Sequence, residues 1–319
     1  MRFALTDDQI AFRVAVRDLL AQECPAEVVR AAWDAAPGGL DRGVWDALGA
    51  MGALSVLVPE ADGGLGLDEV WLVPLLEETG RVALPHPIVE TAMVAAPLGI
   101  AGMVSTDLGG PFVPCAADAD ALLLRHDDGL VVVSPSAVEL EPVATVDRAR
   151  RAATARLPSR SVGSFPAQRR EIADRTVWRG VLGTAAQLIG LGQRMLDVTV
   201  EHVKTRHQFG VPIGSFQAVK HHLANALLHL EFARPAVYRA AWSLANDVPT
   251  VARDVSMAKA MASDAATLVG RQALQCHGAI GYTVEYDLHL YLKRTWALAR
   301  AWGDAAAHRS RVAAAVIPG

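Results

Sequence analysis

Two short segments of the chain carry residue types that suit the binding of a dinucleotide's phosphates. One is Thr205-Arg-His-Gln-Phe-Gly210, and the other, about seventy residues later, is Gln275-Cys-His-Gly-Ala-Ile-Gly-Tyr282. Arg206 supplies a guanidinium for an anion, and Gly278 and Gly281 permit backbone conformations that bring main-chain amides close to a phosphate or a ribose. The two segments together predict a pyrophosphate site, whereas the first alone is typical of an ordinary turn between helices.

Long helices are expected to position both segments. Helical patterning runs from Glu171 nearly to the end of the chain and predicts one helix to about Lys204, a second from Ser215 to Asn246 and a third from Thr250 to Gln275. Pro235 is expected to kink the second helix. The apolar stripe of the second helix comprises Phe216, Val219, Leu223, Leu227 and Leu230, and close packing of the third is predicted through Ala258, Ala262 and Ala265. Helices of this length predict an antiparallel bundle.

The first hundred residues are also predicted to be mainly helical. Residues 6–9 have the spacing of a capping box, and the apolar positions of the helix that follows are Ile10, Val14, Leu19 and Leu20. A second apolar block, 44–58, ends in a loop at 59–66 that holds a proline and three glycines. Helical spacing resumes at 68–80, and a further helix is predicted from Ile88 to Leu98.

The middle of the chain has a different character. The apolar runs Ala121–Leu124 and Leu130–Val133 flank the turn-like sequence His126–Gly129, which predicts a β-hairpin. Residues 143–168 lack periodicity and are interpreted as irregular connections with one or two further strands. We therefore predict a mainly α fold with an N-terminal helical domain at 1–110, a reduced β middle domain at 111–168 and a C-terminal helical bundle at 169–319.

Composition excludes some classes of partner. The chain has 319 residues, 52% of them hydrophobic, and a net charge of −4, so neither nucleic acid nor an anionic membrane is favoured. The N-terminus runs into charged residues, and no apolar stretch is long enough to span a bilayer.

The cysteines and histidines do not suggest a disulfide framework or a metal site. Cys24, Cys115 and Cys276 are odd in number and widely spaced, which fits a reducing cytoplasm. His221 and His222 are adjacent, and so would point about 100° apart on a helix. We expect no metal.

The order of regions, helical, then β, then helical, resembles that of the acyl-CoA dehydrogenase family across nearly the whole chain. Three motifs carry the same resemblance. They are Pro59-Glu60 with Gly63, Gly64 and Gly66, then Arg206–Gly210 with Phe216-Gln217, then Gln275–Tyr282. The resemblance implies FAD as cofactor, an acyl-CoA substrate and an electron-transfer flavoprotein as electron acceptor. It implies that the ADP half of an FAD bound by a neighbouring subunit contacts Arg206, Gln208, Phe209, Gly210, Gln217, Gln275, His277, Gly278 and Gly281.

Two details of the second segment bear on that implied contact. The family usually has two consecutive glycines where this chain has Gly278-Ala279, so an alanine Cβ lies where a close approach is needed. His277 has two interpretations, a hydrogen bond to the nucleotide or, more often for such a histidine, a local hydrogen bond within the protein.

The catalytic base of the family has no counterpart at its usual positions. A count without gaps places Trp302 at the glutamate that removes the α-proton of the thioester, and indole accepts no proton. Some members carry the base on an earlier helix, at a position that corresponds to Gly180. We therefore expect no catalytic residue in this chain. Asp304 and Asp174 are candidates for a substitute acid, and the alternative is that each is simply a helix-terminal residue. Glu171 is a further upstream carboxylate.

The middle region departs from the family as well, since the Thr-Glu-x-x-x-Gly-Ser-Asp and Trp-Ile-Thr strands that wall the flavin are not found between Pro111 and Pro166. The favoured interpretation is the short subunit of a bacterial α2β2 acyl-CoA dehydrogenase, of the kind that acts on steroid side chains in lipid metabolism. Its partner would be a longer, glutamate-bearing subunit. The alternatives are a self-sufficient enzyme with a displaced base or altered chemistry, such as a dehydratase or cyclase, and a flavin-free assembly or regulatory protein.

Overall fold

The computed structural model describes residues 4–126, 129–157 and 170–317, and side chains from residue 174 onward in the last range. The fold is mainly helical, as predicted. The centre of the predicted hairpin turn (127–128), most of the connection that ends at 168 and the side chain of Glu171 lie outside the described part. No helix in the described ranges is long and apolar enough to cross a membrane.

The N-terminal region consists of four helices, α1 (Asp7–Glu23), α2 (Ala26–Asp34), α3 (Gly43–Ala50) and α4 (Glu69–Arg81). The predicted capping box is confirmed, because the Thr6 amide donates to Gln9 Oε1 at 2.9 Å and the Gln9 amide donates to Thr6 Oγ1 at 3.3 Å. The predicted apolar face of α1 is partly wrong. Leu20 is buried as predicted, but Ile10 and Val14 are 46% and 41% exposed, and Val16 is buried instead.

A buried ionic cluster explains how α1 is oriented. Glu78 of α4 is 1% exposed and accepts from Arg13 Nε at 2.6 Å and from Arg17 Nη2 at 2.7 Å. Neighbouring Glu77 pairs with Arg234 of the C-terminal bundle. Burial raises the pKa of Glu78, but the two arginines outweigh it and leave that pKa below its ordinary value. Because a buried carboxylate requires such partners, the arginines turn Ile10 and Val14 away from the core.

The segment predicted as a helix from Ile88 to Leu98 is a π-helix, Val89–Ala95, followed by a 3-10 turn, Ala96–Leu98. Pro97 has no amide hydrogen and cannot continue an α-helical ladder. The Ala96 amide donates instead to the Thr91 carbonyl, five residues back. This wider turn carries Glu90.

The β region holds two small sheets. In the first, β1 (Val104–Thr106) pairs in parallel with β2 (Ala121–His126), which pairs antiparallel with β3 (Gly129–Val133). Leu122 opposes Val133 and His126 opposes Gly129, so the predicted hairpin is confirmed. The second sheet pairs β4 (Glu139–Pro142) with β5 (Ala153–Arg156), which is one of the further strands expected between 143 and 168.

The C-terminal region is a bundle of long helices, as predicted. It comprises α5 (Arg170–Thr205), the short strands β6 (His207–Gln208) and β7 (Val211–Pro212), α6 (Gln217–Ala245), α7 (Val251–His277), α8 (Leu288–Arg300) and α9 (Ala305–Val316). The small residues Ala258, Ala262 and Ala265 of α7 are buried, as expected. Helix α6 continues through Pro235.

The predicted apolar stripe of α6 is mostly outside the core of this chain. Only Leu230 is buried, and Phe216 and Leu227 are 38% and 43% exposed. The core face runs instead through Ala226, Leu230, Ala233 and Val237. These four positions repeat every three to four residues, so they occupy one side of the helix. The N-terminal half of α6 therefore presents apolar side chains to the surface.

Candidate cofactor site and the corner at Trp302

The first predicted cofactor segment is a tight β-hairpin between α5 and α6. Phe209 and Gly210 form its two-residue turn with φ angles of +53° and +81°, which is the conformation of a type I′ turn. The Ile213 amide donates to the Arg206 carbonyl at 2.8 Å and closes the hairpin. The side chains of Arg206 and Gln208 are exposed, and no described carboxylate pairs with Arg206. This guanidinium is available to an anion.

The second predicted segment follows the end of α7. Gly278 has φ +63°, and a Cβ at this position would meet nothing within 4 Å, so the backbone is open to an approaching group. Ala279 is exposed and lies in a 3-10 turn with ordinary backbone angles, so alanine is not strained there. Gly281 is buried, and a Cβ would lie 3.0 Å from the Cβ of His277. The structure gives Gly281 a packing role, and its contact with a cofactor stays a prediction.

Stacked histidines join the two segments. The ring of His202, near the end of α5, lies 4.2 Å from the ring of His277, and Tyr286 lies 4.8 Å from His277. His277 Nδ1 lies 2.8 Å from the Ala273 carbonyl, which is the local hydrogen bond that one interpretation expected. Burial lowers the pKa of both histidines, so both rings are neutral near pH 7. A nucleotide contact through His277 Nε2, which has no hydrogen-bond partner among the described residues, stays a prediction.

The surface around both segments is unusually apolar. Phe209 is 90% exposed and contacts Phe216 edge-on at 6.1 Å between ring centroids. Tyr282 is 76% exposed, and Gln217 and Gln275 are also exposed. Other exposed apolar side chains on α6 and near the second segment are Leu227, Leu228, Phe232, Ile280 and Val284. Exposed apolar residues in this number are typical of a protein interface.

Trp302 lies in the α8–α9 corner, which we define as residues 301–304, and is sealed inside the chain. It is 5% exposed, and its amide donates to the Gly109 carbonyl at 2.6 Å. Its indole ring lies directly against Gly180 of α5, where any Cβ would overlap the ring. A Cβ at Gly109 would lie 2.8 Å from the indole nitrogen. The two positions where the resemblance places a catalytic glutamate are thus in contact, and a glycine at one makes room for a tryptophan at the other.

Neither substitute acid places a free carboxylate next to the Trp302 ring. Asp304 is exposed and caps α9, where its Oδ1 accepts from the Ala307 amide at 2.8 Å. That hydrogen bond lowers the pKa of Asp304. Asp174 is exposed on the first turns of α5. Both match the structural interpretation of these residues, and a catalytic role for either stays a prediction.

A cavity of about 900 Å³ lies beside the corner, between the segment after β1 and helices α7 and α8. Gly109 and Ala301 form part of its wall. Three arginines line it, Arg150, Arg271 and Arg300, and Glu90 is the only carboxylate among the described lining residues. Glu90 lies 3.4 Å from Arg150 Nη2.

Sequence reasoning missed Glu90. The available signal was a single acidic residue inside an apolar run, Val89-Glu-Thr-Ala-Met-Val94, which the structure winds into a π-helix. Such local widening of a helix is frequent at functional sites.

Solved structures with a similar fold include complexes of two named chains. A chain of the ChsE4-ChsE5 complex from Mycobacterium tuberculosis matches with a TM-score of 0.86 and 23% identity over 100% of both chains. A chain of the steroid ACAD Tcur3481-Tcur3483 matches with a TM-score of 0.85 and 24% identity over 96% of each chain. At these identities the likeness shows the fold.

Sequence comparisons extend from fold to family. The description "Acyl-CoA dehydrogenase, N-terminal domain" matches residues 6–105, and "Acyl-CoA dehydrogenase, C-terminal domain" matches residues 171–317. The chain is 32% identical to the acyl-CoA dehydrogenase IpdE2 of Mycobacterium tuberculosis, over 90% of this chain and 91% of that protein. The second description spans both glycine-bearing segments and the sealed tryptophan. The chain therefore belongs to the acyl-CoA dehydrogenase family.

Proposed function

We propose that this chain is the non-catalytic subunit of a heteromeric, flavin-dependent acyl-CoA dehydrogenase and contributes the ADP half of an FAD site shared with a longer subunit. One observation carries the proposal. The segments suited to a pyrophosphate are open and joined by stacked histidines, whereas the position of the catalytic base holds a buried tryptophan.

The residues at the open segments fit the ADP half of FAD. Arg206 has no carboxylate partner among the described residues and can pair with the pyrophosphate, and Gly278 leaves space where a side chain would block approach. The exposed amides of Gln208, Gln217 and Gln275 can donate to ribose or phosphate oxygens. Members of the family generally bind FAD. When bound, FAD accepts the hydride from the β-carbon of the acyl thioester.

Among the described residues, no carboxylate lies at either expected position of the base, which supports a non-catalytic role. A base must lie within hydrogen-bond reach of the α-proton, and Trp302 can neither accept that proton nor leave room for a carboxylate at Gly180. The partner subunit supplies the glutamate, the pocket for the flavin ring and the acyl tunnel. Electrons then pass to an electron-transfer flavoprotein.

The exposed apolar side chains support an interface with that partner. Phe209, Phe216 and Tyr282 are exposed and lie in or next to the two proposed cofactor segments, so a partner that covers them would also cover the ADP half. The fold shared with chains of the ChsE4-ChsE5 complex and of the steroid ACAD Tcur3481-Tcur3483 favours an α2β2 assembly and a steroid-derived acyl-CoA.

The test is to purify this chain alone and co-expressed with a longer, glutamate-bearing homologue from the same organism, and to record the visible spectrum and native mass of each sample. We expect flavin only in the mixed complex. Arg206→Ala should lower the FAD affinity of that complex about tenfold or more, because a charge-assisted hydrogen bond is lost. Arg309→Ala, which removes an exposed arginine on α9, is the matched control. Stoichiometric flavin in the chain alone, bleached by acyl-CoA, would overturn the proposal.

Glu90 keeps a second function open, that of a self-sufficient enzyme with a displaced base, since it faces the cavity beside the corner. Turnover of the complex should be unchanged in Glu90→Gln, Asp304→Asn and Asp174→Asn. A loss of more than about a hundredfold in any of them, with the fold intact, would favour that second function, because general-base catalysis contributes roughly that much or more. A complex without flavin would instead favour an assembly or regulatory protein.

A further inference from the structure

Lys259 of α7 is a fully buried lysine, with 0% exposure. Its Nζ donates to the carbonyl of Ala299 at 3.1 Å, to the carbonyl of Gly303 at 3.1 Å and to Ser263 Oγ at 3.2 Å. An ammonium group has three N–H donors, and here each one has an acceptor. Two of these acceptors are main-chain carbonyls that flank Trp302 on either side.

A second buried side chain binds the carbonyl between them. His308 of α9 is 0% exposed, and its Nε2 lies 2.9 Å from the Trp302 carbonyl. On the opposite side of the backbone, the Trp302 amide donates to Gly109. The main chain of the α8–α9 corner is thus bound from both sides.

The corner needs such support because its backbone conformation is unfavourable. Trp302 has φ +61°, a left-handed conformation that a bulky side chain rarely adopts. Residues in such conformations persist only where the surrounding structure fixes them. Without the bonds from Lys259, the backbone at Ala299 and Gly303 would be free to relax, and the indole would lose its place against Gly180.

We infer that Lys259 is the positioning residue that holds the α8–α9 corner in its strained conformation and thereby keeps the Trp302 ring closed against Gly180. This goes beyond the proposed function, because it concerns the conformation of the corner and holds whether or not the chain binds flavin.

Charge supports a role that depends on hydrogen bonds. None of the three acceptors of Lys259 is a carboxylate, so no ion pair offsets the cost of burying the amine. An uncharged side chain of similar length would avoid that cost but could not make the three hydrogen bonds. Burial lowers the pKa of Lys259 to about 7, with a smaller opposing effect from Asp304. Among the described residues, the other titratable or charged groups at this corner are Asp304, whose pKa is lowered, His308, with a pKa of about 4, Arg311 beside His308, and Arg300, which lines the cavity together with Ala301. The pKa of Lys259 therefore lies near neutral pH.

The test follows the Trp302 ring itself by ¹⁹F NMR of protein labelled with 5-fluorotryptophan. The chain has seven tryptophans, and Trp302→Phe assigns the relevant signal. In Lys259→Met the Trp302 signal should move toward its frequency in urea and broaden, while the other six stay in place. A Trp302 signal that is unchanged in folded Lys259→Met would overturn the inference.

A control uses a lysine that lies over a different tryptophan. Lys293 Nζ lies 4.6 Å from the ring centroid of Trp33, so Lys293→Met should move the Trp33 signal and leave Trp302 unchanged. If Lys259→Met does not fold, the wild-type protein decides. Its Trp302 signal should shift between pH 6 and 9 with a midpoint near 7. A flat Trp302 signal across that range would also contradict the inference.

Discussion

The two regions that correspond to the cofactor site and the catalytic base of the family differ in exposure in this chain. The proposed cofactor segments at the ends of α5 and α7 are open, with Phe209 90% exposed and the Arg206 guanidinium without a described carboxylate partner. The corner at Trp302 is closed, with its ring 5% exposed and in contact with two glycines. Apolar groups on an open surface can still gain free energy when a partner buries them, whereas those in the closed corner are already buried and stabilise their own chain. This difference fits the proposed function, in which the chain binds a partner subunit and does not supply the catalytic base.

The largest expected effect comes from emptying the closed region. Trp302→Ala should lower the free energy of unfolding by about 3–5 kcal/mol, because it removes a large buried ring and leaves a cavity. Denaturant titration measures this, with Trp296→Ala, at a side chain 45% exposed, as the control that should change little. Equal losses in both variants would mean that Trp302 is not part of the core.

Acid should weaken the closed corner next. Burial lowers the pKa of His308 to about 4, below the ordinary value of 6.5, so between these two values the unfolded chain binds more protons than the folded one. The stability contributed by neutral His308 is therefore present above pH 6.5 and is lost as the pH falls toward 4, with a slope of at most about 1.4 kcal/mol per pH unit. Unfolding of wild type and His308→Gln across this range measures it, and identical slopes would show that another group titrates.

Gly180→Ala tests the same contact from the other side of the Trp302 ring and should destabilise the chain. Its Cβ would overlap the indole, and overpacking of this kind costs about 1–3 kcal/mol. The control is Gly49→Ala in α3, where a Cβ would lie 3.5 Å from Leu54 Cδ1, an ordinary contact. The double variant Gly180→Ala with Trp302→Ala should be more stable than the sum of the two single effects predicts, and simple additivity would argue against direct contact.

The smallest effect on stability is expected in the open region. Phe209→Ser should change the free energy of unfolding by less than about 0.5 kcal/mol, because the side chain is exposed. It should nevertheless weaken association with the partner, by about tenfold if Phe209 is a central contact of the interface. Native mass at decreasing concentration measures the association. A destabilised Phe209→Ser chain would contradict the division between open and closed regions.

Local signals in the sequence predicted much of the fold, because they act over a few residues. The Thr6–Gln9 capping box, the hairpin around His126–Gly129 and the long helices of the bundle are each fixed by spacing and turn chemistry. Burial was harder to predict. Periodicity identified the apolar residues of α6, but it cannot distinguish a face that meets this chain's core from one that meets another chain, as Phe216 and Leu227 illustrate.

The site was predicted in its parts and not in its contacts. The sequence indicated Trp302 and Gly180 as separate positions without a base, but only the fold brings the ring onto the glycine. The cavity residue Glu90 and the buried Lys259 were missed, because their roles depend on residues far away in the chain, at Arg150 and Ala299. The assignment of Gln208, Gln217 and Gln275 to the cofactor remains a prediction.

The contact between Trp302 and Gly180 also constrains how this chain can evolve. A glutamate at position 302 is smaller than indole, and it would leave a void over Gly180 and bury a carboxylate in it. A glutamate at position 180 would have no space at all while the ring remains. A glutamate at either position is thus reached only through a less stable intermediate, so no single substitution gives this corner a carboxylate without a loss of stability.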